Sequence, residues 1–381
     1  MKETILFMIC ILFASCSDDS QNLPNCMQIQ IDPSNSHKAV LEEVVDSACV
    51  VKLTLPDSIV WGEINHIKAY DNIFMMHDLY YTQTITFLSS KGEYINHLDK
   101  RGKGPGEYVN FESFTYNGQD SILMINDRNN KYIAYSFPEL SVLESISEMT
   151  PITNFEFLDR ENLLIISDQD LAANKYRGFN MYSYKNKRYS KLNIEGIPAS
   201  VELSYPNTIT RNGDSLLYAY PHEISTVYSI TKERVNPIFS VSFGEYAIPS
   251  KYWNYKEAQE FEKSLEKGSK ATWIQNVIMD PNKICFGYVF KEPKNIHMVS
   301  YNRNENTSKI YSSISLTPNG PQLPSPLGTY NGFYIVLLED EIVEDYKLMK
   351  IDKTKYPMAS SLINSLGVAD RSAILLYKLK S

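Results

Sequence analysis

A strand pattern that recurs along the chain limits the possible folds more than any other feature of this sequence. Short runs rich in Ile, Val, Tyr and Phe alternate with clusters of Asn, Asp, Gly and Lys, which is typical of a sandwich, a barrel or a propeller. One strand-like run in each copy can be aligned in register with its counterparts in the other copies. The residues that mark this register are Phe87, Tyr135, Tyr182, Tyr228, Val299 and Tyr377. They are spaced 48, 47, 46, 71 and 78 residues apart, so the sequence predicts six copies with two insertions.

Each standard copy contains four strand-like stretches. In the first copy they cover residues 64–70, 73–77, 84–88 and 94–98. In the second copy they cover residues 111–116, 122–126, 132–136 and 142–146. Four strands per copy are what a propeller blade requires. We therefore predict an all-β, six-bladed β-propeller with four-stranded blades.

Two insertions account for the two long spacings. Between residues 250 and 270, Asn254 and Glu257 resemble a helix capping box, and Gly268 is placed to end the helix. Residues 341–369 are rich in Glu, Asp and Lys and include a partly helical run. The sequence thus predicts helical inserts in blades 5 and 6.

The two ends of the repeat region complement each other. The sixth copy has no fourth strand after residues 374–379, and residues 49–55 form a strand-like run without partners ahead of the first copy. Pairing these two runs would leave neither end of the ring with an unpaired strand edge. We therefore predict that an N-terminal strand closes the ring.

The first sixteen residues predict export and lipid attachment. The apolar run of residues 5–14 is too short to span a bilayer and suits a signal peptide. Phe13, Ala14 and Ser15 precede Cys16, and this segment resembles a bacterial lipobox, which implies that Cys16 is acylated. A plain signal peptide that is cut elsewhere is the alternative.

We expect three segments: residues 1–15 as a lipoprotein signal peptide, residues 16–37 as the lipidated cysteine with a polar tether, and residues 38–381 as the propeller. The acidic pair Asp18 and Asp19 resembles the export signal of Bacteroidetes surface lipoproteins. An outer membrane lipoprotein, periplasmic or surface-exposed, is expected, and its lipid would make the membrane a partner.

The net charge bears on the class of partner, and the cysteine content bears on disulfide bonds. The chain has 37 basic and 45 acidic side chains, a formal charge of −8, which argues against a nucleic-acid partner because such partners select a basic face. The odd and widely spaced set of five cysteines is not a disulfide framework. We predict Cys49 and Cys285 to be buried free thiols.

Motifs for common enzyme chemistries are missing from the sequence. It has no Gly-x-Ser-x-Gly elbow, no His-Glu-x-x-His zinc motif and no phosphate-binding loop. We predict no cofactor and no resident metal, and catalytic activity is left open with binding favoured.

Three aspartates define the first candidate site. Asp78, Asp127 and Asp168 fall at the end of the second strand in three successive copies, and propeller symmetry would place them on one face. Such carboxylates could bind a hard cation or act as acid and base. The alternative is that each aspartate stabilises a turn by accepting backbone hydrogen bonds.

A glycine-rich turn defines the second candidate site. Arg101 and Lys103 accompany backbone amides next to Gly104 and Gly106 and could bind an anion. The alternative is a tight crossing between blades, with both glycines at positive φ and Glu107 paired with a neighbouring base.

The turn also carries a family resemblance. Residues 101–108 read Arg-Gly-Lys-Gly-Pro-Gly-Glu-Tyr. Together with the four-stranded copies, the strand at residues 374–379 and the lipobox, they resemble the six-bladed TolB-like propeller lipoproteins of Bacteroidetes. The resemblance implies a propeller in the cell envelope and brings no assigned reaction. We expect non-catalytic binding of a protein, peptide or glycan. A metal-dependent enzyme of the lactonase or lyase type, with a site in the central channel, is the alternative.

Overall fold

The strands of the chain form six sheets around a common axis, so the protein is a six-bladed β-propeller. The computed structural model describes residues 25–127, 131–146, 154–167, 178–192, 208–252, 263 and 270–380. The N-terminal segment contains β1 (Met27–Gln30), β2 (His37–Val40), α1 (Leu41–Val44) and β3 (Val45–Lys52). Short 3-10 turns cover Pro33–Asn35, Gly244–Tyr246 and Ser250–Tyr252.

The four strands of each blade are antiparallel, and the first of them lies innermost. Blade 1 contains β4 (His66–Tyr70), β5 (Ile73–Asp78), β6 (Thr84–Ser89) and β7 (Tyr94–Leu98). Blade 2 contains β8 (Phe111–Asn117), β9 (Ile122–Asp127), β10 (Lys131–Ser136) and β11 (Val142–Ile146). Blade 3 contains β12 (Asn154–Phe157), β13 (Asn162–Ser167), β14 (Gly178–Ser183) and β15 (Arg188–Lys191).

The other three blades follow the same order. Blade 4 contains β16 (Ile209–Asn212), β17 (Ser215–Tyr220), β18 (Ile224–Ile230) and β19 (Val235–Ser242). Blade 5 contains β20 (Ala271–Met279), β21 (Lys283–Phe290), β22 (Glu292–Asn302) and β23 (Thr307–Ser315). Blade 6 contains β24 (Gly328–Tyr330), β25 (Phe333–Leu338), β26 (Ala373–Leu379) and the N-terminal strand β3. The register residues predicted from the sequence all lie in the third strand of their blade.

The N-terminal segment runs along the outer edges of three successive blades. β1 pairs in parallel with β19, with Met27 opposite Phe239, and β2 pairs in parallel with β23. β3 pairs antiparallel with β26, with Val51 opposite Ile374. Residues 27–30, which the sequence assigned to the polar tether, thus form a strand of the propeller. The reason is that the free outer edge of a blade offers unpaired backbone groups to any extended segment that reaches it.

Apolar clusters between neighbouring blades form the core. In the described part of the chain, every pair of adjacent blades encloses one such cluster. Between blades 1 and 2, for example, Met75 and Phe87 pack with Phe114 and Ile133, and all four are fully buried. Side chains of alternate strand residues point to opposite faces of a blade. Each blade therefore packs against both of its neighbours, and these contacts hold the ring together.

Two helices lie between β25 and β26, in the second region where the sequence indicated an insertion. They are α2 (Asp340–Leu348) and α3 (Pro357–Ser365). Val343, Tyr346 and Ala359 are buried against the cluster between blades 5 and 6. Of the helix predicted between Asn254 and Gly268, the structure describes residue 263 alone, and that residue is helical. Among the helices that are described, none is long and apolar enough to cross a bilayer.

The described cysteines are free thiols. Cys285 is buried, as predicted, and burial raises the pKa of its thiol to about 11. Cys49 was predicted to be buried but is exposed. It lies in β3, the outermost strand of blade 6, where the outward side chains face solvent.

Candidate functional site

The innermost strands of the six blades surround a central channel of about 1160 Å³. β4, β8, β12, β16, β20 and β24 all contribute residues to its wall. These strands run in the same direction along the axis, so their first residues lie at one mouth and the hairpin turns that follow them lie at the other. We call these the Tyr80 mouth and the hairpin mouth.

Glu156 is the centre of a polar cluster in the channel wall. It lies on β12 between Phe155 and Phe157, which point into the apolar cluster between blades 2 and 3. Strand alternation therefore turns Glu156 away from that cluster. Its carboxylate is almost completely buried, yet it borders the channel.

Three other blades supply groups to this carboxylate. Tyr70 Oη donates to Glu156 Oε1 at 2.8 Å, and Thr115 Oγ1 donates to the same oxygen at 2.8 Å. Lys68 Nζ donates to Oε2 at 2.8 Å and to the Phe114 carbonyl at 2.6 Å. Arg211 Nη2 lies 3.6 Å from Oε1 and donates to the carbonyl of Phe157. The buried charge of Glu156 is therefore well compensated.

The surroundings of Tyr70 in this cluster keep its phenol protonated. Burial, and after it the neighbouring Glu156 carboxylate, raises the pKa of Tyr70 well above its usual value. The phenol thus stays protonated and donates its hydrogen bond at any physiological pH. With Lys68 and Arg211 beside Glu156, the cluster holds two cations and one carboxylate.

Exposed aromatic residues lie at the Tyr80 mouth. Tyr80 and Tyr81 follow β5 and are 65% and 64% exposed. Tyr81 packs on Gly62, where an added Cβ would lie 2.4 Å from the tyrosine Cβ. Tyr80 borders the channel itself, together with His66 and Asn154. Large aromatic groups that remain exposed in this way are typical of binding surfaces.

Asp78 and Asp127, two of the predicted site residues, hold backbone amides at equivalent positions of blades 1 and 2. Asp78 accepts from the Gly62 amide at 2.6 Å and from Thr82 Oγ1 at 2.8 Å. Asp127 accepts from the amides of Val109 and Asn110, each at 3.3 Å. Burial alone would raise the pKa of Asp78, but these hydrogen bonds outweigh it and lower the pKa.

In both blades the aspartate ties down the loop that enters its own blade, which agrees with the turn-stabilising alternative for Asp78 and Asp127. Asp168 lies outside the described residues. Cation binding or acid–base chemistry by these three aspartates stays a prediction. In the ranges that the structure describes, no three His, Cys, Asp or Glu side chains are grouped as metal ligands.

The glycine-rich turn is held by its own side chains. Gly106 has φ +78° and Gly104 does not have a positive φ, so only one of the two expected left-handed glycines is found. Glu107 Oε2 accepts from the Gly104 amide at 2.7 Å instead of pairing with a neighbouring base. Arg101 and Lys103 are exposed. The Glu107 carboxylate thus already accepts the hydrogen bond of the amide that an external anion would use. Anion binding at this turn stays a prediction.

Sequence reasoning missed the channel cluster and the aromatic mouth. The one available signal was the charged residues inside otherwise apolar inner strands, such as Glu156 between two phenylalanines. Their convergence could not be read from the sequence because Lys68, Glu156 and Arg211 lie on three different blades.

The comparisons with known proteins agree with this fold. The model of the domain of unknown function DUF4934 matches residues 26–377. A Bacteroides fragilis protein described as exported is 16% identical, with a TM-score of 0.69 over 93% of this chain and 100% of that chain. A Bacteroides vulgatus member of the DUF4221 family is 8% identical, with a TM-score of 0.50 over 89% and 98% of the two chains. No curated protein matches the sequence. At these identities the structural neighbours establish the fold alone.

Proposed function

The chain belongs to the DUF4934 family, and we propose that it is an envelope lipoprotein whose propeller binds a partner without catalysis, through its central channel. The observation that carries this proposal is the combination of a polar cluster around Glu156 in the channel wall with the exposed Tyr80 at one channel mouth. A wide cavity with a few convergent polar groups is the usual form of a ligand site.

The polar cluster favours binding over catalysis. Each oxygen of Glu156 already accepts hydrogen bonds from protein donors, so the carboxylate is poorly placed to take a proton from a substrate. The raised pKa of Tyr70 keeps its phenol protonated. The hydrogen bonds of Glu156 and Tyr70 fix the channel wall in one position, and a ligand can pack against that wall.

Cys16 supports the proposed location. The lipobox-like residues before it would direct acylation, and a structural neighbour described as exported points in the same direction. The body would then be tied to the outer membrane through lipid, facing the periplasm or the cell surface. In a Cys16→Ala variant, the mature body should leave the membrane fraction or the precursor should accumulate. Normal membrane fractionation of this variant would contradict the lipid anchor.

A thermal-shift screen tests the binding site. The lipid-free body is mixed with panels of saccharides and short peptides, since a ligand that binds only the folded state raises the melting temperature by mass action. We expect at least one class to do so, and Tyr80→Ser to reduce the shift. Leu348→Ser is the matched control because Leu348 is also exposed, at 79%, but lies on the α2 insert.

Two outcomes would count against this function. If no saccharide or peptide changes the melting temperature, the channel is not a binding site for these classes. If metal analysis of the purified body finds one divalent ion per chain, the enzyme of the lactonase or lyase type becomes the better explanation.

A further inference from the structure

The channel cluster contains unused hydrogen-bond donors that carry positive charge. A guanidinium has five N–H donors, and Arg211 uses Nη2 for the carbonyl of Phe157. Among the described residues, no acceptor lies within hydrogen-bond distance of its Nε or Nη1. The Arg211 side chain is 36% exposed and borders the channel. Lys68 uses two of its three N–H donors, on Phe114 and Glu156.

Glu156 fixes these cations without cancelling their combined charge. It bonds Lys68 directly, whereas Arg211 lies at 3.6 Å, an ion-pair distance without a good hydrogen bond. The cluster therefore has one surplus positive charge inside a partly desolvated cavity, where electrostatic attraction is stronger than in water. An incoming carboxylate could accept a charged hydrogen bond from the free Nη1 or Nε of the guanidinium.

Among the described residues that line the channel at the Tyr80 mouth, none carries a negative charge. The described wall residues at this mouth include Leu79, Ser113 and Asn154, which are uncharged. Burial, and after it the charge of Lys68, lowers the pKa of His66 to about 3, so this histidine is neutral at physiological pH. The hairpin mouth differs because its border is acidic on balance: Asp71, Asp159, Asp214 and Glu233 outnumber Arg160 and Lys232. An anion would thus reach Arg211 most easily past Tyr80.

The same path suits a sugar ring. Tyr80 offers an exposed aromatic face, against which the C–H face of a sugar can pack. Ser113 Oγ donates to Asn154 Oδ1 at 3.4 Å, which leaves the serine oxygen as an acceptor and the Asn154 Nδ2 amide as a donor for ring hydroxyls. The channel, at about 1160 Å³, slightly exceeds the roughly 300–1000 Å³ of ordinary ligand pockets. It therefore has room for the end of a saccharide chain.

We propose that the channel binds a uronate, a sugar that carries a ring carboxylate, with this carboxylate on Arg211 and Lys68 and the ring next to Tyr80. The inference rests on the proposed binding function and specifies its ligand class. A free uronic acid and the uronate end of a longer glycan share this chemistry, and the probes below separate them.

Calorimetric titration of the lipid-free body with four probes tests the proposal: galacturonate, tetragalacturonate, galactose and acetate. We expect galacturonate to bind at least about tenfold more tightly than galactose, since a charged hydrogen bond contributes about that factor. Tighter binding of tetragalacturonate than of galacturonate would identify a glycan end as the ligand. The reverse order would identify the free acid.

Matched charge variants locate the carboxylate. Arg211→Gln should weaken galacturonate binding by about tenfold or more. Lys232→Gln is the control because Lys232 also borders the channel, at the hairpin mouth, and pairs with Glu233. It should leave binding nearly unchanged. Arg211→Lys keeps the charge but loses the planar fork and should fall between them, which preserves the test if the glutamine variant does not fold.

Several results would overturn the uronate assignment. They are equal affinity for galactose and galacturonate, equal affinity for acetate and galacturonate, no effect of Arg211→Gln and Arg211→Lys, or no binding of any probe. If neutral saccharides bind and Tyr80→Ser removes this binding, the proposed channel function stands and the uronate assignment fails. The two proposals can therefore fail separately.

Discussion

His77 is a buried histidine to which the described residues offer no hydrogen-bond partner, so it tests directly how burial affects a titratable group. The side chain is completely buried on β5. Its ring stacks on Phe111 with centroids 4.6 Å apart, and it meets the edge of Phe114 at 5.4 Å. Within the described residues, neither ring nitrogen has a hydrogen-bond partner. We predict that His77→Phe stabilises the protein.

The expected size of the effect depends on pH. At neutral pH, removing an unsatisfied buried polar group should raise the free energy of unfolding by about 1–2 kcal/mol. Burial, followed by the charges of His66 and Lys68, lowers the pKa of His77 well below its usual value. Below about pH 6.5 the unfolded chain therefore takes up a proton that the folded chain refuses. The contribution of His77 to the free energy of unfolding is therefore fully present above that pH and is lost at about 1.4 kcal/mol per pH unit below it.

Urea denaturation between pH 7.5 and pH 5.0 measures both effects. At pH 5.0 the His77→Phe variant should gain about 2 kcal/mol over wild type beyond its advantage at pH 7.5. His37→Gln is the control because His37 is exposed on β2. If wild type and His77→Phe lose stability in parallel on acidification, His77 is not held neutral by burial.

Three further changes test other parts of the molecule. Glu156→Gln should lower the free energy of unfolding by about 3 kcal/mol, because the cations around it lose their buried counter-charge; an unchanged denaturation midpoint would contradict this. Gly106→Val should lower it by about 1–3 kcal/mol, because the backbone is left-handed there and the new Cβ would lie 2.1 Å from a methyl group of Val142. The exposed control Arg101→Ala should leave the melting temperature nearly unchanged. Deleting residues 373–381 removes β26, the partner of β3, and should abolish cooperative unfolding; a melt like that of the full chain would show that the ring does not depend on this strand.

The repeat pattern was enough to predict the blades. The first predicted strands, residues 64–70 and 73–77, correspond to His66–Tyr70 and Ile73–Asp78. The prediction succeeded because strand alternation and turn residues are local signals that recur in each copy.

Pairing at the outer edges could not be predicted in the same way. β1 is only four residues long, and its partner β19 lies more than 200 residues further along the chain. A strand that adds to an existing edge needs only an extended backbone, so its sequence carries little pattern. The channel cluster was missed for a related reason, since the hydrogen bond from Lys68 to Glu156 joins residues 88 positions apart.

The position of β1 limits how the proposed anchor can present the channel. Cys16 precedes Met27, the first residue of β1, by 11 positions. A chain covers at most about 3.6 Å per residue, so lipid on Cys16 would hold the outer edge of blade 4 within about 40 Å of the bilayer. Because β1 pairs with the outermost strand of that blade, the attachment is at the rim of the disc and at neither face. The proposed attachment point therefore lies away from both channel mouths, which would leave Tyr80 accessible to a glycan end when the disc stands on its rim.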